Sequence, residues 1–127
     1  MKSEKKLQKA CEQYLDRNKI TYLRIYDKVY EVLVQAARRG SNPGVYSVLK
    51  KLKGIPDLNI LFPNGTYVCV ELKSDTGVQS KEQKLFEKKV GTDNYYVVRT
   101  VKGFTELISK YQKQSKKDLK ERKDESN

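Results

Sequence analysis

Histidine is absent from this 127-residue chain, and several chemistries go with it. Without an imidazole there is no histidine general base, no Ser–His or Cys–His nucleophile and no nuclease built on a histidine base. Cysteine occurs only as Cys11 and Cys69, so Cys and His together cannot fill a four-ligand structural zinc site. Both lie in short apolar contexts and read as reduced, small core residues of an intracellular protein. No apolar run approaches the ~20 residues of a membrane span, and the start, MKSEKKLQKA, lacks the apolar stretch of a secretory signal. The expectation is a soluble, cytoplasmic protein. Acidic charge is also scarce: 16 Asp and Glu stand against 27 Lys and Arg, a net charge of +11 and a pI near 9.6. Hydrophobic residues make up 37% and mean hydropathy is −0.80, so one modest core beneath a heavily charged surface is expected. So basic a balance favours a polyanionic partner, with nucleic acid the default. An acidic membrane is disfavoured because no long basic helix carries Trp or Phe on its opposite face.

Residues 3–18 carry Leu7, Ala10, Cys11, Tyr14 and Leu15 at three- and four-residue steps, which predicts a helix stopped near Asn18. Residues 20–26 are β-branched and aromatic and read as a strand. Residues 27–39 fit helical spacing through Tyr30, Leu33, Val34 and Ala37, although a strand also accommodates the valines. Asn42 and Pro43 start a helix with Val45, Val48, Leu49 and Leu52 on one face, ended by Gly54. Residues 57–62 and 66–73 form two strands joined through Pro63-Asn64-Gly65. A helix from Ser80 to Gly91, a strand over 94–99 and an amphipathic helix over 103–112 complete the order. Residues 113–127 hold six basic and four acidic residues without apolar periodicity, so a charged, disordered tail is expected after a single domain over 1–112. The fold class is α/β, a small mixed sheet flanked by helices.

Three features converge on chemistry. Asp57 enters a strand directly after Gly54-Ile55-Pro56; Glu71-Leu72-Lys73 ends the neighbouring strand; Gly77 to Gln83 opens a helix. Alternation puts Glu71 and Lys73 on one face and Leu72 on the other, and a turn centred on Asn64 brings Asp57 towards Glu71. Two carboxylates with the Leu72 backbone carbonyl make an oxygen-rich half-shell for Mg²⁺ or Mn²⁺. Such an ion binds a phosphate oxygen and acidifies its water without any histidine, and Lys73 would orient that water or offset charge on the phosphoryl group. Each feature also has a plain structural reading. Glu-x-Lys occurs as a surface pair, Asp follows proline in turns, and Ser80 with Gln83 has the spacing of a capping box. The joint occurrence beside the apolar YVCV segment, where idle ions are costly, favours the functional reading.

Gly54-x-Pro56-Asp57-Leu58, Glu71-x-Lys73, Gly77 and Ser80-x-x-Gln83 together resemble the PD-(D/E)xK nuclease superfamily. More narrowly they resemble the virus-type replication and repair nuclease (VRR-NUC) domain in its small stand-alone, phage-like form, over about residues 3–110. The resemblance implies a restriction-endonuclease-like core and a Mg²⁺- or Mn²⁺-dependent endonuclease acting as a homodimer on branched DNA, Holliday junctions above all. It implies Asp57 and Glu71 as metal ligands, Lys73 as the catalytic lysine and Gln83 as an accessory polar residue. The family also places an acid on the first helix. Glu4 matches best, lying at the edge of the Leu7/Cys11/Leu15 stripe, with Glu12 the second choice; a first-turn Glu is equally explained by the helix dipole. Arg38, Arg39, Lys50, Lys51 and Lys53 suit backbone contact with DNA, the other reading of the lysines being the solvated face of a short helix. A non-catalytic nucleic-acid-binding module of the same fold, or a nuclease for flaps, nicked duplex or RNA, are the alternatives.

Overall fold

The computed structural model describes residues 3–24, 34–35, 38–39 and 54–126. The first helix, α1 (Ser3–Arg17), buries Leu7, Cys11 and Leu15, the four-residue spacing that puts all three on one face. It ends in a Schellman closure: the Ile20 N–H bonds the Leu15 carbonyl at 2.9 Å and the Lys19 N–H bonds that of Asp16 at 3.1 Å. Lys19 takes the left-handed conformation, φ 56°, where glycine is usual. The chain then enters β1 (Thr21–Leu23).

β2 (Leu58–Leu61) and β3 (Tyr67–Leu72) form an antiparallel hairpin. Phe62 and Gly65 are joined by an N–H···O bond, Thr66 closes back on Phe62, and Gly65 sits at φ 95°. This is a three-residue hairpin loop whose last position needs glycine's left-handed freedom. After α2 (Lys81–Val90) and a single 3₁₀ turn (Thr92–Asn94), β4 (Tyr95–Val98) pairs parallel to β3. The sheet order is β1-β2-β3-β4, antiparallel except for the last pair. The protein is thus α/β, a four-stranded mixed sheet flanked by helices.

The two faces of the sheet differ in chemistry. One presents Leu58, Ile60, Val68, Val70, Leu72 and Val98, which join Leu7, Cys11 and Leu15 of α1 with Phe104 and Ile108 of the last helix in one core. Alternation gives the other face Asn59, Tyr67, Cys69, Glu71 and Tyr95. That face is polar yet buried at Asn59, Cys69, Glu71 and Tyr95. Both cysteines are free and buried; burial pushes the Cys11 thiol up to about 12 and raises that of Cys69, so neither is a nucleophile.

One expectation is overturned. The segment expected to be a disordered tail after residue 112 is helical, because α3 runs from Val101 to Ser126. The apolar stripe through Phe104, Ile108 and Tyr111 continues to Ser115, which is 1% exposed. Beyond it the helix grips the hairpin loop. The Asn64 N–H donates to Ser115 Oγ at 3.1 Å, Asn64 Nδ2 to Asp118 Oδ2 at 2.9 Å, and Arg122 Nη2 to the Asn64 carbonyl at 3.0 Å. A boundary at 112 therefore falls inside a helix. Val34–Gln35 and Arg38–Arg39 have helical backbone, and the helix expected over 42–52 lies outside the described residues. No helix among the described residues is long and apolar enough to cross a membrane.

Candidate active site

The hairpin register brings the two carboxylates together. Leu58 pairs with Val70, and one step further along the antiparallel ladder sets Asp57 opposite Glu71, on the polar face. Asp57 is fixed by its own strand neighbour: Oδ2 accepts the Leu72 N–H at 2.8 Å. Leu72 thus meets Asp57 through its amide, while its side chain is buried in the apolar core.

Glu71 is 2% exposed and lies within hydrogen-bonding reach of Asp57. Burial above all, then the hydrogen bond and the charge of Asp57, push the Glu71 carboxyl up to about 9; Lys73 and the Tyr95 hydroxyl pull the other way. A buried acid set against a second acid shares a proton instead of carrying two charges. The Tyr95 hydroxyl reaches Glu71 Oε2 at 3.5 Å. Burial raises the Tyr95 phenol itself, so it remains a donor. Its ring lies beside Phe86 of α2, centroids 6.5 Å apart. Gln79 lies near the same hydroxyl and donates to Glu87 Oε1 at 3.1 Å. Asp57, Glu71, Tyr95, Gln79 and Glu87 thus form a polar chain from the sheet to α2.

Gln83 is differently engaged. Its Oε1 accepts the Ser80 N–H at 2.7 Å while Ser80 Oγ accepts the Gln83 N–H at 3.1 Å, the reciprocal capping box at the start of α2. The amide that connects to Glu71, through Tyr95, belongs to Gln79.

Lys73 follows β3, held to β4 by its N–H on the Val98 carbonyl at 3.1 Å. The turn beyond it is closed by Gly77 N–H to the Ser74 carbonyl at 3.1 Å. A β-carbon at Gly77 would stand 3.3 Å from the Lys73 stem, so glycine lets the turn cross the lysine closely. Arg99 secures that turn, with Nη1 on the carbonyls of Ser74 at 2.6 Å and Gly77 at 2.9 Å. The residue before Asp57 is tied down as well. Buried Asn59 donates through Nδ2 to the Pro56 carbonyl at 3.1 Å and accepts the Tyr67 hydroxyl at 2.6 Å.

Gly54 joins this loop to α2. It has φ 85°, and a β-carbon there would lie 2.3 Å from the Glu82 carbonyl oxygen. Gly54→Ala is expected to cost at least about 2 kcal/mol, from the left-handed backbone and the collision together. Urea unfolding checks this: a midpoint unchanged within error would mean the loop and α2 are not in contact in solution.

The remaining site expectations divide. Glu4 is exposed on the first turn of α1, and among the described residues no group of three acids, cysteines or histidines gathers around one point. Neither Glu4 nor Glu12 therefore joins Asp57 and Glu71. Glu12 instead pairs with Arg24 at 2.6 Å and accepts the Tyr22 hydroxyl at 3.2 Å. Arg38 and Arg39 are exposed; Lys50, Lys51 and Lys53 lie outside the described residues. Tyr95, Gln79, Asn59 and Arg99 went unnoticed in the sequence. Only Gln79 carried a local signal, by its place in the loop before Ser80.

The donor set suits a hard cation. Two adjacent carboxylates are what Mg²⁺ or Mn²⁺ takes from protein when substrate phosphate and water complete the shell. A cation between Asp57 and Glu71 would also relieve their mutual repulsion. No known protein family, characterised protein or solved structure matches the chain.

Proposed function

We propose that the protein is a Mg²⁺- or Mn²⁺-dependent endonuclease of the PD-(D/E)xK type, VRR-NUC-like, cutting phosphodiesters in branched DNA, most of all four-way junctions. The observation that carries this reading is the convergence of Asp57 and Glu71 on the polar face of one hairpin, with Lys73 two residues beyond Glu71. Asp57 and Glu71 would hold the ion, which when bound neutralises a phosphate oxygen and acidifies water. Lys73, on the same face as Glu71, supplies a positive charge for the phosphoryl oxygens as negative charge grows on them. Tyr95 and the Leu72 amide keep the two carboxylates oriented. The net charge of +11 favours a polyanionic substrate. Recognition would be by DNA shape and backbone, through basic side chains that meet phosphates rather than base edges. A C2 homodimer would set two such sites on the two strands of a symmetric junction, and DNA as substrate implies a cytoplasmic setting in a bacterium or phage-infected cell.

The test is a labelled four-way junction and a matching linear duplex incubated with the full chain in Mg²⁺, Mn²⁺ or EDTA. Metal-dependent cutting of the junction is the expected result. Tight binding without cutting in either metal would remove the nuclease reading and leave a binding module. Sedimentation with and without junction tests the dimer, and a monomer in both would remove it.

A further inference from the structure

From α3 we infer a second nucleic-acid contact surface, a lysine face that grips phosphate backbone without reading sequence. By charge count its last fifteen residues are nearly balanced, but the helix sorts them. At 100° per residue, Lys102, Lys113, Lys116 and Lys120 fall within a sector of about 60°, with Lys117 beside it. All five are exposed. No acid of the helix lies inside that sector, although Glu106 and Asp124 border it. Asp118 is turned away onto Asn64 and Gln114. Lys113 to Lys120 rise about 10 Å along the axis, enough to span successive phosphates of one strand. Beside them Lys113, Lys117, Thr105, Ser109 and Tyr14 of α1 line an open groove of about 700 Å³, with Glu106 the one acid in its lining. Lysines with hydroxyl donors in one groove are the side chains that position a protein on a sugar–phosphate backbone.

A membrane is the poorer match. An interfacial helix inserts an apolar face, and the centre of that of α3 is already used: Phe104 and Ile108 are fully buried in the core, leaving only Val101 and Leu119 part exposed near its ends, at 42% and 37%. The choice of nucleic acid among polyanions rests on the nuclease reading, and the experiment separates the two. Junction and duplex binding by the full chain is measured in EDTA across a salt series, comparing wild type, K113Q/K116Q/K117Q/K120Q and the corresponding four-arginine variant. Each phosphate contact contributes about 0.9 to the salt slope on duplex. The glutamine variant should therefore lose about 2–3 from the slope and bind at least about tenfold more weakly near 0.1 M salt. The arginine variant should keep the wild-type slope. An unchanged slope in the glutamine variant overturns the inference, as does equal loss in both variants, which would mark a structural role. Release of the glutamine variant from phosphatidylserine vesicles with DNA binding intact would assign the face to membranes and overturn it too. Absence of metal-dependent cutting would sink the nuclease reading while leaving a measured slope change standing.

Discussion

Replacing Lys73 by alanine is expected to lower single-turnover cleavage of a four-way junction by about a thousandfold, the scale of losing a preorganised charge at the reacting group. Junction affinity in EDTA should stay within about threefold, because one lysine is a small share of a net charge of +11. The size of the effect follows from how the side chain is held. Its backbone is tied to Val98, its stem lies under Gly77, and Arg99 pins the turn through two carbonyls. The backbone and stem of Lys73 are thus held in place, and its charge acts on the Glu71 carboxyl. Arginine should not restore the rate, since a planar guanidinium is longer and presents its donors as a fixed fork. Cleavage by Lys73→Ala within tenfold of wild type would assign the chemistry elsewhere.

Glu71→Gln is expected to separate stability from chemistry. In the metal-free protein the Glu71 carboxyl is raised from an unfolded value of 4.5 to about 9. Between those limits the folded state holds a proton that the unfolded chain has released, so stability falls as pH rises. It is greatest below about 4.5, declines across the window and levels off above about 9. Glutamine mimics the protonated acid and takes no part in this titration. The variant should therefore gain stability over wild type at pH 8 while losing Mn²⁺ binding by at least about a hundredfold, and cleavage with it. In wild type the same proton must leave when a cation enters. Mn²⁺ affinity should tighten by up to about tenfold per pH unit below 9, with about one proton released in calorimetry run in two buffers. A metal affinity independent of pH, or a Gln variant less stable than wild type at pH 8, would show that Glu71 is already ionised in the folded protein.

The lesson of α3 is one of periodicity hidden by composition. Phe104, Ile108 and Tyr111 were recognisable as a helical stripe. Its continuation through Ser115, Leu119 and Arg122 was not, because a serine and an arginine stand where apolar residues would be counted. Ser115 and Arg122 face the Asn64 loop rather than the middle of the core. Their partners lie 51 and 58 residues away in sequence, and no local pattern announces them.

For the hairpin the reverse holds. A three-residue loop ending in glycine fixes the register of both its strands, and alternation then fixes the faces. The approach of Asp57 to Glu71 and the Ser80–Gln83 capping box were therefore legible in the residues themselves. Short-range geometry leaves little freedom at these places: two dihedral angles per residue, a period of two in a strand and one left-handed position in the loop. What the tertiary structure alone decided are the contacts between segments distant in sequence. Tyr95 reaches Glu71 only because β4 lies parallel to β3, with Cys69 paired to Tyr95. Gln79 rather than Gln83 turns towards that hydroxyl, since Gln83 is already bound to the Ser80 amide. Glu12 meets Arg24 only because β1 turns back beside α1. In each case burial selects the partner: a polar group removed from water must find whichever donor or acceptor the packing brings within reach, and packing is a property of the whole chain.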